Sequence, residues 1–321
     1  MPGLDALHRH HFWDGMLAAM TLVLAGAAAQ VGFSAAAGQA NIWQIAAGIA
    51  CAAAAGCIAY GSLIAPRRIV TRTQRVVRSG LPPMRVAVFS DTHVGPLKGE
   101  AFLRRLVRRC NVLQPDLVLL PGDFLYDANS SLAPLAELGG LRAPLGIFAV
   151  IGNHDSGSYI DLRHRAFRTD DRSDDVAQTL EELGIRVLRN DVARVATPHG
   201  PCAIAGIEDL WSPRYADVPG FLRGLDRSVP TILLSHHPDA ALDPGAQGIP
   251  LVVSGHTHGG QIRLPLLGPL LPIPCALGRK YDRGLFRLAS GTALFITHGT
   301  GETMIRARFF APPEVVLLEI E

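Results

Sequence analysis

A short apolar segment that ends abruptly in histidines constrains the fold of this chain most strongly. Leu251–Ser254 is rich in valine and lies between Pro250 and Gly255, which indicates a buried strand rather than a helix. His256 and His258 follow at i and i+2, so their imidazoles project to the same side of an extended backbone. Such a pair is typical of a metal site, but alone it more often marks loop histidines that hydrogen-bond locally.

The same arrangement of an apolar strand followed by ligand-type residues occurs four more times upstream. The pairs are Arg85–Ser90 with Asp91 and His93, Asp116–Leu120 with Asp123, Gly146–Ile151 with Asn153, His154 and Asp155, and Thr231–Ser235 with His236 and His237. Each strand is hydrophobic on both faces, as in a sheet covered on both sides. Open α/β sheets bind ligands at the carboxyl ends of their strands. One polar residue there commonly caps a turn, but five such strand ends in order predict a shared metal site.

Two stretches near the N-terminus, 15–37 and 42–65, are apolar and carry no charged residue. Each is long enough to cross a hydrocarbon core of roughly 30 Å. A cleaved signal peptide is the alternative for the first stretch, but its length, its weakly basic flank and the second stretch behind it favour a retained helix. The connection 38–41 is long enough only for a tight turn. The sequence therefore predicts a transmembrane helix hairpin over 15–65, after an N-terminal segment 1–14.

Charges around the hairpin predict its orientation. One arginine, Arg9, precedes the first stretch, the connection has none, and five follow the second stretch: Arg67, Arg68, Arg72, Arg75 and Arg78. By the positive-inside rule both ends lie in the cytoplasm. We therefore expect a multi-pass protein of the cell inner membrane whose catalytic domain is cytoplasmic. Small residues recur every four positions at Gly48, Ala52 and Gly56, which permits close packing of the two helices.

Composition changes again after the hairpin. Residues 66–83 form a basic stretch that ends in consecutive prolines and is predicted to be a juxtamembrane linker, whereas 84–321 is predicted to be a soluble α/β domain. Glu100–Leu113 has apolar residues at helical spacing and arginines opposite, which indicates a surface helix whose basic face meets either solvent or anionic lipid. The five cysteines form no CxxC pair, so no disulfide framework is expected. A formal net charge of +2 gives no sign of a nucleic acid partner, and none is expected.

The region between the third and fourth ligand strands is variable in character. Ser156–Ser173 is polar and charged, which favours a loop or short cap, and Asp174–Leu183 is predicted to be a helix that ends at Gly184. Ile185–Leu188 and Cys202–Gly206 are predicted to be strands of a second sheet. The residues that follow are equally consistent with a pocket lining and a structural turn: Glu208, Asp209, Trp211 and Tyr215.

Taken together, the ligand blocks resemble the calcineurin-like metallophosphoesterase superfamily. Its blocks DxH, GDx, GNH(D/E), H and GHxH match Asp91–His93, Gly122–Phe124, Gly152–Asp155, His236 and Gly255–His258 in order. Three weaker motifs, His258–Gln261, Gly278–Asp282 and Ala311–Glu314, resemble a membrane-associated bacterial branch with YkuE-like phosphodiesterases and UDP-2,3-diacylglucosamine pyrophosphatase. The resemblance implies a four-layer α/β/β/α sandwich over nearly all of 84–321.

The resemblance also implies a role for each matching residue. Asp123 would bridge two divalent ions, with the first site completed by Asp91, His93 and His258 and the second by Asn153, His236 and His256. Manganese, iron and zinc all remain open for the two ions. His154 would donate a proton to the leaving oxygen, and Asp155 would orient the His154 ring. His237 is left as a supporting or surface residue.

Two ions of this kind act on phosphoryl groups, so the expected activity is hydrolysis of a phosphodiester or pyrophosphate. The loop Leu264–Pro274 exposes many leucines unless it folds into the core, and it would otherwise contact lipid or an acyl chain. Arg279 and Lys280 behind it are candidate contacts to a substrate phosphate. Hence a lipid or nucleotide-lipid substrate is one hypothesis. The alternatives are a tethered enzyme for soluble phosphodiesters and a catalytically silent, membrane-tethered binding module.

Overall fold

The computed structural model describes residues 3–77, 79–160, 166–273 and 275–321. Arg78 of the basic stretch, Pro274 of the apolar loop and part of the expected loop Ser156–Ser173 lie outside the described residues. The chain begins with helix α1, Gly3–Ala36, and helix α2, Ile42–Ala59. Asn41 starts α2 with a capping box, because its side chain accepts from the Gln44 amide while the Gln44 side chain accepts from the Asn41 amide.

The two helices form a hairpin that is long and apolar enough to cross a membrane, over Phe12–Ala36 and Ile42–Arg67. Gly48 packs against Val31, since a Cβ there would lie 2.8 Å from Val31 Cγ1. A Cβ at Gly56 would have no heavy atom within 4 Å, so the contact between the helices does not extend to Gly56. After α2 the chain continues through a π turn, Tyr60–Ile64, and a 3₁₀ turn, Ala65–Arg67.

A six-stranded sheet holds the first three ligand strands. Strands are numbered along the chain, and this sheet contains β1 (Val70–Val76), β2 (Met84–Val88), β3 (Leu117–Pro121), β4 (Ile147–Val150), β7 (Arg186–Val187) and β16 (Glu314–Ile320). The spatial order is β1-β16-β2-β3-β4-β7. Strands β2, β3, β4 and β7 are parallel, so their carboxyl ends meet at one edge.

A second six-stranded sheet holds the other two ligand strands. It contains β8 (Asp191–Thr197), β9 (Gly200–Gly206), β10 (Thr231–Leu234), β11 (Leu251–Ser254), β14 (Gly284–Arg287) and β15 (Ala293–Ile296). Its order is β14-β15-β11-β10-β9-β8, with β9, β10, β11 and β15 parallel. Two short hairpins complete the strands: β5 (Ser158–Ile160) with β6 (Ala166–Arg168), and β12 (Arg263–Leu264) with β13 (Gly268–Pro269).

The sheets pack face to face and are covered by helices outside, which confirms the four-layer α/β/β/α sandwich. In β2, Val86 and Val88 enter the core between the sheets, whereas Ala87 faces the core beneath the outer helices, as the two-residue strand period requires. The covering helices are α3 (Glu100–Val112), α4 (Ser173–Glu182) and a 3₁₀ helix (Ala133–Gly140) on the first sheet, and α5 (Val218–Arg223) on the second.

Two sequence-based expectations about the sheets differ from the structure. The stretch 66–83 contains β1, which pairs in parallel with the last strand from Val70–Glu314 to Val76–Ile320, so the first sheet begins before Met84. Polar and charged residues on the exposed face of β1 hide it from a hydrophobic pattern. Ile185–Leu188 was expected in the second sheet, but β7 pairs with β4 of the first sheet through Phe148 and Arg186.

Replacing Val76 by alanine should test whether β1 is part of the folded domain. Val76 is fully buried between the sheets, so its loss should lower the free energy of unfolding by roughly 1.5–3 kcal/mol in urea titrations of the detergent-solubilised chain. The control is Val77→Ala, because Val77 is 48% exposed. If both variants unfold at the same urea concentration, the segment is a linker without a structural role.

Candidate metal centre

The predicted metal ligands lie on tight turns that directly follow their strands. Five of them have left-handed backbone conformations, with φ of 51° at Asp91, 44° at His93, 56° at Asp123, 68° at His256 and 53° at His258. Non-glycine residues adopt this region rarely and at a cost in strain. These turns reverse each chain at the sheet edge and aim the side chains into a common centre between the two sheets.

Glycines make room for the carboxylates in these turns. A Cβ at Gly152 would lie 2.1 Å from Asp123 Oδ1, and a Cβ at Gly255 would lie 2.6 Å from Asp91 Oδ2. Neither approach is possible for a residue with a side chain. The glycines of the GNH and GHxH blocks therefore let two neighbouring backbones close around the buried acids.

A first cluster joins Asp91, His93 and His258. Nε2 of His93 lies 3.1 Å from Nε2 of His258, and the latter nitrogen lies 3.6 Å from Asp91 Oδ1. Asp123 Oδ2 is 3.6 Å from the same His93 nitrogen. All four side chains are buried. Asp91, His93 and His258 offer ligand atoms within 4.8 Å of one another, close enough to hold a metal ion.

A second cluster joins Asn153, His236 and His256 on the other side of Asp123. Asn153 Oδ1 lies 3.1 Å from His236 Nε2 and 3.0 Å from His256 Nδ1. Asp123 Oδ2 is 3.3 Å from His236 Nε2, so this one oxygen faces both clusters. The structure thus brings together all seven side chains that the sequence predicted as ligands.

Hydrogen bonds to backbone carbonyls fix three of the imidazole rings. Nδ1 of His93, His236 and His258 lies 3.2, 2.7 and 3.2 Å from the carbonyl oxygens of Leu125, Pro121 and Gly301, respectively. A carbonyl only accepts, so each Nδ1 carries the proton and each Nε2 presents a lone pair to the centre. His256 is turned the other way, with Nδ1 toward Asn153. A ring held through one nitrogen, with the other nitrogen aimed at the centre, is the arrangement that metal-ligating histidines show.

The charge states of three buried histidines and of Asp123 also suit a cation. Burial and the neighbouring Arg308 guanidinium lower the pKa of His258 to about 3, and burial lowers the pKa of His93 and His256 well below the ordinary value. Burial opposes ionisation of Asp123, but the imidazoles of His236 and His154 hold its pKa well below the usual range. Burial opposes the charged form of His236, but the Asp123 carboxylate raises the pKa of this imidazole well above its ordinary value, so His236 has to release a proton to bind a cation. The nitrogen and oxygen donors of these side chains form a set that fits one or more divalent ions of the borderline class.

His154 is half-buried beside the two clusters, and one of its ring nitrogens is hydrogen-bonded to the backbone. Its Nδ1 is 2.6 Å from the carbonyl oxygen of Tyr126, and its backbone N–H donates to Asp123 Oδ1 at 2.9 Å. Its ring lies edge-on to those of His93 and Tyr159, with centroids 4.5 and 4.8 Å away. The contact with Tyr126 leaves Nε2 as the nitrogen that can exchange a proton with a bound molecule.

Asp155 does not orient the His154 ring, contrary to the sequence-based expectation. Its Oδ1 accepts from the amides of Phe124 and Leu125, both at 2.9 Å, and its Oδ2 accepts from the Gly152 amide at 3.0 Å. Its side chain is fully buried. Asp155 therefore ties the turns after β3 and β4 together. The Tyr126 carbonyl, instead of Asp155, orients the His154 ring.

The residues with open roles divide between the pocket and the scaffold. Trp211 is half-buried, and its ring is perpendicular to that of His256 at 4.7 Å, which places it at the wall of the centre. His237 is buried, with its ring centroid 4.1 Å from that of His256, so it supports this ligand instead of lying at the surface. Glu208 pairs with Arg189 at 2.7 Å and belongs to the scaffold.

The apolar loop and the two candidate phosphate contacts form a separate cleft next to the centre. A cavity of about 540 Å³ is lined by Arg263, Leu264, Pro265, Leu266, Leu267, Gly268, Pro269, Arg279, Lys280, Asp282, Arg283 and Phe310. Arg279 Nη2 donates to the carbonyls of Leu267 and Pro269, which fixes the loop. Arg263 donates to the carbonyl of Gly259, the residue after a predicted ligand, at 3.2 Å.

Buried polar residues in the C-terminal part were missed by the sequence-based reasoning. Arg308 is fully buried and contacts His258, and Glu314 accepts from the His298 amide at 2.9 Å. Arg308 lies outside every sequence motif, and Glu314 ends the motif Ala311–Glu314 but was given no role. Only the fold, which brings the C-terminal segment back to the first ligand turn, makes them neighbours of the site.

Comparison with known proteins supports this centre. The family model described as calcineurin-like phosphoesterase matches residues 84–260, which is more than half of the chain. The chain is 31% identical over 279 residues to the uncharacterized metallophosphoesterase YkuE of Bacillus subtilis, covering 84% of this chain and 91% of the relative.

Two further relatives cover most of the chain. It is 29% identical over 247 residues to the phosphodiesterase YaeI of Escherichia coli, covering 74% of this chain and 82% of that one. It is 35% identical over 244 residues to a Danio rerio transmembrane protein with a metallophosphoesterase domain, covering 72% of this chain but only 52% of that one. With its sandwich fold and its His/Asp clusters, the chain belongs to the calcineurin-like phosphoesterase family of metal-dependent hydrolases.

Proposed function

We propose that this chain is a dinuclear-metal-dependent hydrolase of phosphodiester or pyrophosphate bonds. The observation that carries the proposal is the position of Asp123 Oδ2, 3.6 Å from His93 Nε2 in one cluster and 3.3 Å from His236 Nε2 in the other. An oxygen shared in this way is suited to bridging two ions. Asp91, His93 and His258 would hold the first ion, and Asn153, His236 and His256 the second.

The side chains divide the chemistry among them. Two divalent ions in such a site polarise the phosphoryl group and lower the pKa of water. Asn153 contributes a neutral oxygen, which limits the negative charge that has to be buried with Asp123. In its protonated form His154 donates Nδ1–H to the Tyr126 carbonyl and gives the Nε2 proton to the leaving oxygen, becoming a neutral imidazole. Manganese, iron and zinc all suit this mixed nitrogen and oxygen set.

A catalytically silent binding module is the alternative from another class. It would be favoured by the absence of a ligand from one cluster, whereas all seven ligand-type side chains are present and converge. Nothing in the charge of the chain suggests a nucleic acid substrate.

Asp123→Asn should nearly abolish activity and reduce the bound metal from two ions to one or none per chain. The amide keeps the shape but removes the negative charge that both clusters face. Metal content after manganese saturation and dialysis, with turnover of an aryl phosphodiester, provides the measurement. The control is Asp226→Asn, a surface residue that pairs with Arg194. Wild type that binds a single ion and turns over fully would contradict the two-metal assignment.

His154→Ala should keep the metal content and lower kcat by about two to four orders of magnitude for a substrate with a poor leaving group. The loss should be smaller for an activated aryl diester, whose leaving oxygen needs no proton. Comparison of kcat for alkyl and aryl substrates tests this, with His199→Ala, an exposed turn residue, as control. An equal loss on both substrates would contradict the general-acid role.

We further propose that the helix hairpin anchors the enzyme in the cell inner membrane with the catalytic domain in the cytoplasm. The lengths of the two apolar helices support spanning, and the arginines that follow α2, including Arg67, Arg68, Arg72 and Arg75, support the orientation. The relative from Danio rerio is named a transmembrane protein. The bilayer is then the permanent partner of this chain.

The substrate proposed for this anchored enzyme is amphiphilic, such as a lipid pyrophosphate or a diacylated nucleotide sugar. Leu266 is fully exposed, Leu267 is 70% exposed and Leu270 is 57% exposed. Leu266 and Leu267 line a cleft that also carries cationic side chains, Arg263, Arg279, Lys280 and Arg283, which suit a phosphate, although Arg263 also pairs with Asp282. An apolar rim beside a basic cleft fits a molecule with an acyl chain and an anionic head.

A row of aromatic rings connects the cleft to the base of the hairpin. Phe310 lines the cleft, its ring lies 4.8 Å from that of Phe309, and Phe309 in turn contacts Tyr60 of the second helix with ring centroids 6.5 Å apart. The leucine-rich rim therefore lies on the side of the domain from which the hairpin leaves. An enzyme that only tethers itself for soluble phosphodiesters would not need exposed leucines there.

Replacing Leu267 and Leu270 together by aspartate should selectively reduce kcat/KM for an acylated substrate. Each buried methylene contributes roughly 0.8 kcal/mol, so a diacylated nucleotide sugar should be preferred by wild type over its deacylated form, and the variant should lose that preference. Val112→Asp, on an exposed helix position of 79%, is the control. If wild type shows no higher kcat/KM for the acylated substrate, or if the variant loses kcat/KM equally for both substrates, the proposal of an amphiphilic substrate is wrong.

A further inference from the structure

The second apolar helix ends in a π turn that opens one backbone acceptor. The Ala65 amide donates to the carbonyl of Tyr60, five residues back, instead of the Gly61 carbonyl that an α-helix would use. The Gly61 carbonyl instead accepts from the backbone N–H of Arg308 at 2.9 Å. The π turn, which is rare in proteins, therefore frees the Gly61 carbonyl to bond the catalytic domain directly.

The two backbones approach each other closely at Gly61. A Cβ at Gly61 would lie 3.3 Å from the carbonyl oxygen of Arg308 and 3.9 Å from the Phe309 ring, and Gly61 is buried. At Gly56, five residues earlier in the same helix, a Cβ would meet nothing within 4 Å. The contact at Gly61 therefore belongs to this one position and not to the helix surface in general.

The Arg308 side chain continues from this contact to a predicted metal ligand. Its guanidinium is fully buried and donates to the carbonyls of His298 at 3.1 Å, Ala311 at 2.8 Å and Gly301. The Gly301 carbonyl is also the partner of His258 Nδ1, and Arg308 Nη2 lies 3.5 Å from that nitrogen. Arg308 thus holds the acceptor that sets the orientation of the His258 ring.

A buried ion pair ties the same guanidinium to the chain below the helix. Glu302 accepts from Arg308 Nε at 3.1 Å and lies 3.4 Å from Lys98 Nζ. Lys98 in turn donates to the carbonyl of Pro66, in the turn that follows the π turn. Both ends of the helix base, at Gly61 and at Pro66, are therefore bonded to one network.

We propose that Arg308 is a positioning residue that couples the base of the second apolar helix to the metal-ligating geometry of His258. The helix is then part of the support of the metal centre as well as an anchor, and a displacement of its base changes the affinity of the first metal site. This inference rests on the proposed role of His258 as a ligand. Arg308 itself contacts neither substrate nor, as proposed, metal.

The test measures Mn²⁺ binding to the metal-stripped full chain in detergent, by the electron paramagnetic resonance of free Mn²⁺. Arg308→Lys keeps the buried charge but cannot reach all of the carbonyls, and Gly61→Leu pushes the Arg308 backbone away. Both should weaken one of the two binding steps by about 10- to 100-fold, the usual effect of a lost partner behind a metal ligand. Gly61→Leu carries the test alone if Arg308→Lys does not fold.

The controls separate coupling from general damage. Gly56→Leu alters the same helix in open space, and Arg306→Met removes the ion pair with Asp14 of the first helix, 3.7 Å long, without touching the network. Both should bind Mn²⁺ as wild type does. Equal weakening by Gly56→Leu and Gly61→Leu, or unchanged affinity in Gly61→Leu, would overturn the coupling.

His258→Ala separates this inference from the proposed function. If His258→Ala leaves both ions bound with unchanged affinity, His258 is not a ligand and the ligand set proposed for the first ion fails. If it removes one ion while Arg308→Lys and Gly61→Leu bind as wild type does, only the coupling fails.

Discussion

The rest of this structure depends on holding several imidazole nitrogens close to one buried carboxylate, Asp123. Asp123 lies between imidazole nitrogens 3.3 and 3.6 Å away, and His93 and His258 present nitrogens to each other at 3.1 Å. Without a cation His93 and His258 gain little from one another, because ring nitrogens that bear lone pairs cannot donate hydrogen bonds. The surrounding fold has to hold them there. Two sheets supply the rigidity, and their parallel strand ends supply the position.

The support of the centre is largely backbone. Carbonyls of Leu125, Pro121 and Gly301 set three ring orientations, and amides of Phe124, Leu125 and Gly152 hold Asp155 between two ligand turns. Side-chain substitutions keep the backbone carbonyls, and all but proline keep the backbone N–H groups, so the ligand turns keep their shape through the hydrogen bonds of the main chain. This explains why the left-handed conformations at the ligands can persist, since several fixed bonds determine each turn.

The sequence predicts features that have a local residue pattern and misses those that depend on contacts between distant parts of the chain. The ligand strands and their turns were predictable because each carries its own local pattern, and Leu251–Ser254 has the bounds expected for it. Strand β1 was not, since most of its residues are exposed and its pairing with Glu314–Ile320 spans the whole domain. Asp155 was assigned a partner by adjacency in sequence, whereas its side chain turns to the preceding ligand loop. Arg308 carries no local signal at all.

The position of β1 also limits how the domain can move relative to the hairpin. Only Arg68 and Ile69 separate the helix base at Arg67 from the first strand residue, Val70. That strand is bonded along its length to the last strand, whose neighbour β2 leads directly into Asp91. A long flexible linker would let the site sample many heights above a bilayer. Here, with the proposed anchoring, the sheet edge and the helix base move together, so the distance between the metal centre and the membrane is set by the fold.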